Sequence, residues 1–453
     1  MKRIAVVGSG ISGLVAAHEL AHDAQVTLFE AGSHFGGHTH TVDITLPGRA
    51  GGVTHGVDTG FLVYNDRTYP KLVQLFERLG VETAASDMSF SVQVRESTGA
   101  VLEWSGNSLN TVFAQRRNLL RPRFLGMLRE ILRFNKLCTA IATHGAEAEL
   151  AQPIADFLDE HGFGPAFREW YFLPMIGCIW SCPTDQMLRF PIGTMIRFCH
   201  NHGLIQVADR PQWRTVRGGA KHYVTRLLAG IPDARLNTPV RGLHRLPAQE
   251  GHGVLVATDS GSERFDDVVL ACHSDQSLTL LTDATTAERE VLGAVRYHAN
   301  HAVLHTDTRM LPKRRLAWAA WNYARATDTG REQAAVCLHY LINLLQPLPW
   351  QQPVVVSLNP DPAHLPDEGQ VLGRYDYSHP VFDSAAVAAQ RRLPALQGLG
   401  GVWFCGAWTR YGFHEDGLVS ALDVVARLRK SWAHRDAHYD AHHDAHHAEV
   451  AST

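Results

Sequence analysis

Short apolar runs separated by polar and glycine-rich stretches mark out the elements of this chain. Near its start, Ile4-Ala5-Val6-Val7 is an uninterrupted apolar run, the pattern of a strand buried on both faces. The run breaks at Gly8, Gly10 and Gly13, and small residues in a helical pattern follow. A second run, Val26 to Phe29, ends in Glu30. Comparable runs return far downstream. Val254–Ala257 and Asp267–Ala271 read as a hairpin-like stretch, and Val402–Ala407 as a short buried strand. From Gly417 an amphipathic helix is expected to reach about Arg429. In the middle, from Pro122 on, Phe124, Leu125, Leu128, Ile131, Leu132 and Leu137 recur at helical spacing and predict a helix with one apolar side.

The first of these patterns carries chemistry. Strand, glycine turn, helix, strand and closing acid form the dinucleotide-binding fingerprint in its proper context. Gly8 permits a tight turn, Gly10 lets backbone approach a pyrophosphate, and Gly13 lets helix and strand pack closely. The helix N-terminus then presents N–H groups and a positive dipole end to phosphate. Glu30 accepts from a ribose hydroxyl, which selects FAD or NAD over NADP. The opening Met-Lys-Arg and apolar run imitate a signal peptide, but the glycines interrupt it and no cleavage-like site follows.

Residues 30–38 read Glu-Ala-Gly-Ser-His-Phe-Gly-Gly-His, and here the chain resembles the amine-oxidase-like FAD superfamily. That resemblance implies an α/β fold, with a Rossmann-like FAD-binding domain interleaved with an α+β substrate domain. FAD is the implied cofactor. Its expected contacts are Gly8, Gly10, Ser12, Gly13, Glu30, Ala31, Gly36, Gly37, His38 and Thr39 in the first segment. Val240 is expected to hold the adenine through its backbone. Gly406 and Ala407 are expected by the ribityl phosphate, with Gly417 and Leu418 opening a helix toward the flavin pyrimidine. The chain departs from the pattern where His34 and His38 replace arginines and Ala407 replaces an acid. The implied division is 1–64, 214–275 and 397–432 for FAD, and 65–213 and 276–396 for substrate, with a tail from 433 to 453.

Composition excludes several classes. With 453 residues and 45% hydrophobic content, the chain can bury a large core. A net charge of −3 gives no general attraction to nucleic acid or to anionic membranes. No apolar run is long enough to span a bilayer. Seven scattered cysteines suit reduced thiols and a cytoplasmic setting. Cys178 and Cys182 lack the second pair that a zinc site needs, and no metal is expected. The tail repeats histidine at 434, 438, 442 and 446, with Asp436, Asp440 and Asp444 between. It reads as a disordered polar extension, although a helical tail would align the histidines into a metal-binding face. The segment 116–137 holds Arg116, Arg117, Arg121, Arg123, Arg129, Arg133 and Lys136 against Glu130 alone. It reads either as a packed helix with a charged face or as a peripheral contact with an anionic (inner) membrane surface.

The reaction is less legible. Asp58 and Tyr64 are candidate site groups, and Phe61, Trp408, Tyr411 and Phe413 candidate substrate-lining rings. Amine oxidases of the superfamily carry a lysine in the stretch corresponding to 296–303. This chain has none there, its six lysines being Lys2, Lys71, Lys136, Lys221, Lys313 and Lys430. The chain more nearly resembles a bacterial branch of NAD/FAD-binding proteins. The likeness rests on Gly-Gly-His-Thr-His-Thr (36–41), Val-Asp-Thr-Gly-Phe (57–61), Trp-Asn-Tyr (321–323), Tyr-Ser-His-Pro (377–380) and Gly-Phe-His-Glu-Asp-Gly (412–417). Members are often encoded beside methyltransferases similar to cyclopropane fatty acid synthases. The resemblance implies a lipid or fatty acyl substrate, such a methyltransferase as partner, and desaturation by hydride transfer to FAD. Candidate bases are His38, His40, Asp58, His414 and Glu415, of which His414 and Glu415 are preferred. A flavin amine oxidase and a non-catalytic FAD-binding partner of a lipid methyltransferase stand as alternatives.

Overall fold

The computed structural model describes residues 1–48, 51–96, 99–144, 150–180, 184–205, 211–247, 249, 252–325 and 336–450. The chain divides into two units, one of Met1–Gly37, Val224–Ala294 and Ala389–Thr453, the other of His38–Tyr223 and Val295–Ala388. The sequence reading drew the first boundary at 64. The structure puts the hairpin Thr41–Gly48 and Gly51–Asp58 in the second unit, because Asp58 ties it to Ala220 and Gln346 there.

The first unit is built on a five-stranded parallel sheet. Its order is Asp233–Arg235, Gln25–Phe29, Arg3–Val7, Asp267–Leu270 and Val402–Phe404. The central strands are buried along almost their whole length, which is why they read as continuous apolar runs. Asp267–Leu270 is therefore not part of a hairpin with Val254–Ala257. That partner is Gly261–Phe265, and with Val240–Arg245 they form a separate antiparallel sheet. Asp267 is a buried carboxylate held by three donors. Trp403 Nε1 reaches it at 3.1 Å, Trp432 Nε1 at 3.0 Å and Arg435 Nη2 at 2.7 Å. The last two come from the helix His414–Val450, which packs on Ile11–Leu20. This helix continues beyond Arg429 to Val450, through most of the segment whose composition reads as a disordered extension. Its side chains from 436 on, including His438, His442 and His446, lie outside the described residues, as does Cys182. Among the described residues no cluster of His, Cys, Asp or Glu could hold a metal ion.

The second unit centres on a seven-stranded mixed sheet. Its order is Val371–Val381, Arg296–His305, Val355–Leu358, Cys337–Leu341, Trp321–Ala324, Phe90–Arg95 and Val101–Ser105. Helices including Pro122–His144 and Ile192–Asn201 pack together in the same unit. Phe134 of the first helix interlocks with Phe163, Phe167 and Phe172 of the following segment, with ring centroids 4.7–5.8 Å apart. Trp170, Tyr171 and Phe172 are likewise buried core.

A polar chain crosses this sheet. The Asp307 N–H donates to His305 Nδ1 at 3.1 Å, and Ser357 Oγ lies 2.7 Å from both His305 Nε2 and His339 Nδ1. Since His305 Nδ1 accepts, its proton sits on Nε2 and is donated to Ser357, whose hydroxyl is then donated to His339. Burial pulls His305 down to about 4 and His339 to about 3. Both histidines must stay neutral in the fold, whereas unfolded imidazoles protonate near 6.5. Their contribution is present above that value and is lost as pH falls toward 4, at about 1.4 kcal/mol per pH unit for each. Urea melts at pH 7, 5.5 and 4.5 should show this decline, and His339→Gln should flatten it.

Candidate functional site

In the first unit, Gly8 has φ of +97°, a backbone that side-chain-bearing residues rarely adopt. A Cβ on Gly13 would lie 1.8 Å from the Gly8 carbonyl oxygen, so helix and strand meet only because that position is bare. A Cβ on Gly10 would meet nothing within 4 Å. Gly10 caps the helix Ile11–Leu20 without a side-chain bond, and the first N–H groups of the helix have no partner inside it. Open space in front of bare N–H donors is the cradle that a pyrophosphate needs. Gly37 approaches so closely that its Cβ would stand 3.1 Å from the Gly10 Cα.

Glu30 closes the second strand. Its Oε2 accepts from Ser9 N at 2.9 Å and from Ser9 Oγ, and its Oε1 accepts from Gly32 N at 2.7 Å. A carboxylate has about four acceptor positions, so one is left for a ribose hydroxyl. Ala31 follows on the surface. Thr238 N bonds the Glu30 carbonyl at 2.8 Å and Asn237 N the Gly32 carbonyl at 3.2 Å. These bonds bring Val240 to the Glu30 end of the sheet. At the same carboxyl edge of the parallel sheet, past Val402–Phe404, Ser12 Oγ donates to the Gly417 carbonyl at 2.9 Å and Gly406 N donates to Ser420 Oγ at 2.9 Å. Ala407 adjoins them, since a Cβ on Gly417 would lie 3.6 Å from its nitrogen. Three distant segments thus converge around one cradle, and their donor set fits FAD.

Two details differ from the sequence reading. The last helix opens at His414, one turn before Gly417, and the Gly417 N–H is already bonded to the Phe413 carbonyl at 3.1 Å. Gly417 and buried Leu418 therefore serve packing, and the bare N–H groups belong to the turn before them. Asp416 caps that turn, accepting from Phe413 N at 3.0 Å. Burial pushes Asp416 up to about 6 and pulls His414 down to about 3. A neutral imidazole so reluctant to protonate is a weak base, and it sits at a positive helix end. Glu415 stands in the same turn, where its charge suits the dipole. Trp408 is buried with its indole N–H on the Cys272 carbonyl at 3.2 Å, the place of a packing residue. Tyr411 is exposed and Phe413 half-buried.

In the second unit, Asp58 and Tyr64 take structural places. Asp58 is buried, accepting from Thr41 Oγ1, from Ala220 N at 2.9 Å and from Gln346 Nε2 at 2.7 Å. Burial pushes it up to about 7, yet protein donors already occupy both oxygens. Tyr64 is buried against Tyr69 and Phe76, and Thr39 spends its hydroxyl on Tyr223. Phe61 is half-buried, its N–H on the His38 carbonyl at 2.7 Å.

A group that the sequence reading missed lies on neighbouring strands. Arg296–His305 and Val371–Val381 pair antiparallel and set His298 opposite His379. Asn300 Nδ2 donates to His379 Nδ1 at 2.8 Å, while Asn300 Oδ1 accepts from Asn359 at 2.7 Å. An amide nitrogen only donates, so neutral His379 carries its proton on Nε2. The His38 ring packs against Tyr377 at 5.1 Å and His379 at 5.2 Å. The Tyr377 hydroxyl lies 2.7 Å from Thr59 Oγ1 and 3.2 Å from His40 Nδ1. Within this group His298 Nε2 is sealed from solvent with no hydrogen-bond partner, and burial alone lowers the His298 pKa. The histidines were visible in the sequence, but their meeting depends on strand register.

A family model described as flavin containing amine oxidoreductase matches residues 11–314. No curated protein matches the sequence. Among solved structures, a CLA-producing fatty acid isomerase from P. acnes is 15% identical over 94% of this chain and 98% of its own, with a TM-score of 0.63. A putrescine oxidase bound to putrescine is 16% identical over 95% and 99%, with a TM-score of 0.63. Cyclohexylamine oxidase from Brevibacterium oxydans IH-35A is 16% identical over 94% and 99%, at 0.59. At such identities the likeness is one of fold. With its glycine cradle and a family match across most of its length, the chain belongs to the flavin-containing amine oxidoreductases and is an FAD-dependent oxidoreductase.

Proposed function

We propose that this flavoprotein desaturates a fatty acyl chain, methyl-branched or already unsaturated, by removing a hydride and a proton from neighbouring carbons. The observation that carries this reading is the strand Arg296–His305, which presents His298 and Asn300 and has no lysine. Amine-handling members of the superfamily use a lysine in the corresponding stretch. A sealed imidazole nitrogen in its place suits a substrate that gives up a proton from carbon. The fold shared with a fatty acid isomerase supports the same substrate class. A methyl-branched chain would be supplied by a methyltransferase reaction of the kind that cyclopropane fatty acid synthases perform.

When bound, FAD supplies the hydride acceptor. Gly8, Gly10 and Gly13 with the helix behind them hold its pyrophosphate, Glu30 its ribose and the Val240 backbone its adenine. His298 takes the substrate proton at Nε2 and becomes imidazolium as the double bond forms. Asn300 holds His379 in one tautomer, and the His38 and Tyr377 rings brace it. We assign the proton to His298 rather than His414 or Glu415, because His414 is the weaker base and Glu415 complements a helix end.

Anaerobic mixing of the holoprotein with unsaturated and methyl-branched phospholipids is expected to bleach the flavin. Putrescine and benzylamine are expected to leave it yellow. Bleaching by the amines alone would establish the amine oxidase instead. A flavin that none of these compounds reduces would point to a non-catalytic partner of a lipid methyltransferase.

A further inference from the structure

The helix Pro122–His144 buries Phe124, Met127, Phe134 and Cys138 along one side. The opposite side is not the ordinary polar face of a packed helix. Leu125 is 42% exposed and Leu132 62%, and with Arg129 and Lys136 they recur at spacings of four, three and four, which is one stripe of a helix. The sequence pattern places both leucines on the helix's one apolar side, together with Phe124. Just ahead of the helix, the turn Arg116–Leu120 leaves Leu120 88% and Leu119 48% exposed. Arg116 bonds the backbone and side chain of Asn110, which draws in neighbouring Leu109, itself 80% exposed.

Five of the large apolar side chains most open to solvent thus come from one short stretch of sequence. A soluble surface seldom gathers such a group without a partner. Charge says which partner. Some cations here are engaged: Arg121 with Glu96, Arg123 over Trp170 and Arg133 over Phe163. Arg129 and Lys136 are exposed and have no acidic partner among the described residues. The one acid of the segment, Glu130, accepts from Gly164 N at 3.0 Å. Leucines flanked by unpaired cations match a bilayer surface, where the apolar groups enter the acyl boundary and the cations meet anionic head groups. No helix among the described residues is long and apolar enough to cross a membrane, so the contact is one of surface docking.

We infer that Leu119, Leu120, Leu125 and Leu132, with Arg129 and Lys136, form a docking surface for an anionic lipid bilayer. This goes beyond the catalytic reading and stands without it. The test is sedimentation of the holoprotein with vesicles of phosphatidylglycerol and phosphatidylcholine in equal parts, against phosphatidylcholine alone. Wild type is expected to pellet with the anionic vesicles and to release in high salt. Leu120→Ser with Leu132→Ser, and separately Arg129→Glu with Lys136→Glu, should each weaken binding roughly tenfold or more. All four positions are exposed, so FAD content and melting temperature should hold. Equal pelleting with both vesicle types overturns the inference, as does wild-type binding by both variants. So does a dimer in solution that the leucine pair alone dissolves, because the surface then belongs to a second copy of this chain.

Discussion

Gly10→Ala is expected to give a protein that folds with an unchanged melting temperature yet purifies almost colourless. The position has φ of −60° and empty space around the site of a Cβ, so alanine strains nothing in the chain itself. The new methyl would stand in the space from which the helix N–H groups face a pyrophosphate. Loss of about 3 kcal/mol of binding would weaken FAD roughly 100-fold. Gly13→Ala provides the contrast. There the methyl would press on the Gly8 carbonyl at 1.8 Å, which only a shift of helix against sheet relieves. That variant should lose both FAD and stability, with a melting temperature several degrees lower. Thermal melts with flavin absorbance separate the two results, and a yellow Gly10→Ala protein would remove the pyrophosphate from this cradle.

His298→Ala is expected to slow anaerobic reduction of the flavin by an acyl substrate by about 10²- to 10⁴-fold, the usual worth of a positioned base. FAD content should be unaffected. The pH profile distinguishes a base from a packing residue. Burial lowers His298 from 6.5, so the wild-type rate should rise with pH below that value, as Nε2 loses its proton, and then level off. In His298→Ala that rising limb should vanish. His414→Gln should leave the limb in place, because a group held near 3 does not titrate in that range. A wild-type profile retained by His298→Ala would exclude His298 as the proton acceptor.

The sequence disclosed what local chemistry dictates. Gly8, Gly10, Gly13 and Glu30 could be read because strand, turn, helix and acid follow one another along the chain. Asp58 misled for the converse reason. Its partners Ala220 and Gln346 lie far away in sequence, and without them a buried acid looks like a catalytic one. His298 was passed over because its setting is made by His379 on another strand and by Asn300 beside it. Leu125 and Leu132 fitted the helical period as well as Phe124 does. Periodicity assigns a stripe but not which of two adjoining stripes faces inward, and packing chose Met127 and Phe134. Trp408 was placed by its position between two cofactor elements, while its indole N–H had an acceptor in Cys272.

The buried Asp267 carboxylate has a consequence for biosynthesis. Two of its three donors, Trp432 and Arg435, are translated more than a hundred and sixty residues after it, and the edge strand Val402–Phe404 emerges almost as late. Until then the ribosome-bound polypeptide carries a half-built sheet with an open strand edge and, at the start of one strand, a carboxylate that lacks its donors. Assembly of this unit must therefore wait until the chain through Arg435 has left the ribosome, and a message truncated before codon 432 should yield a product that chaperones retain and proteases clear.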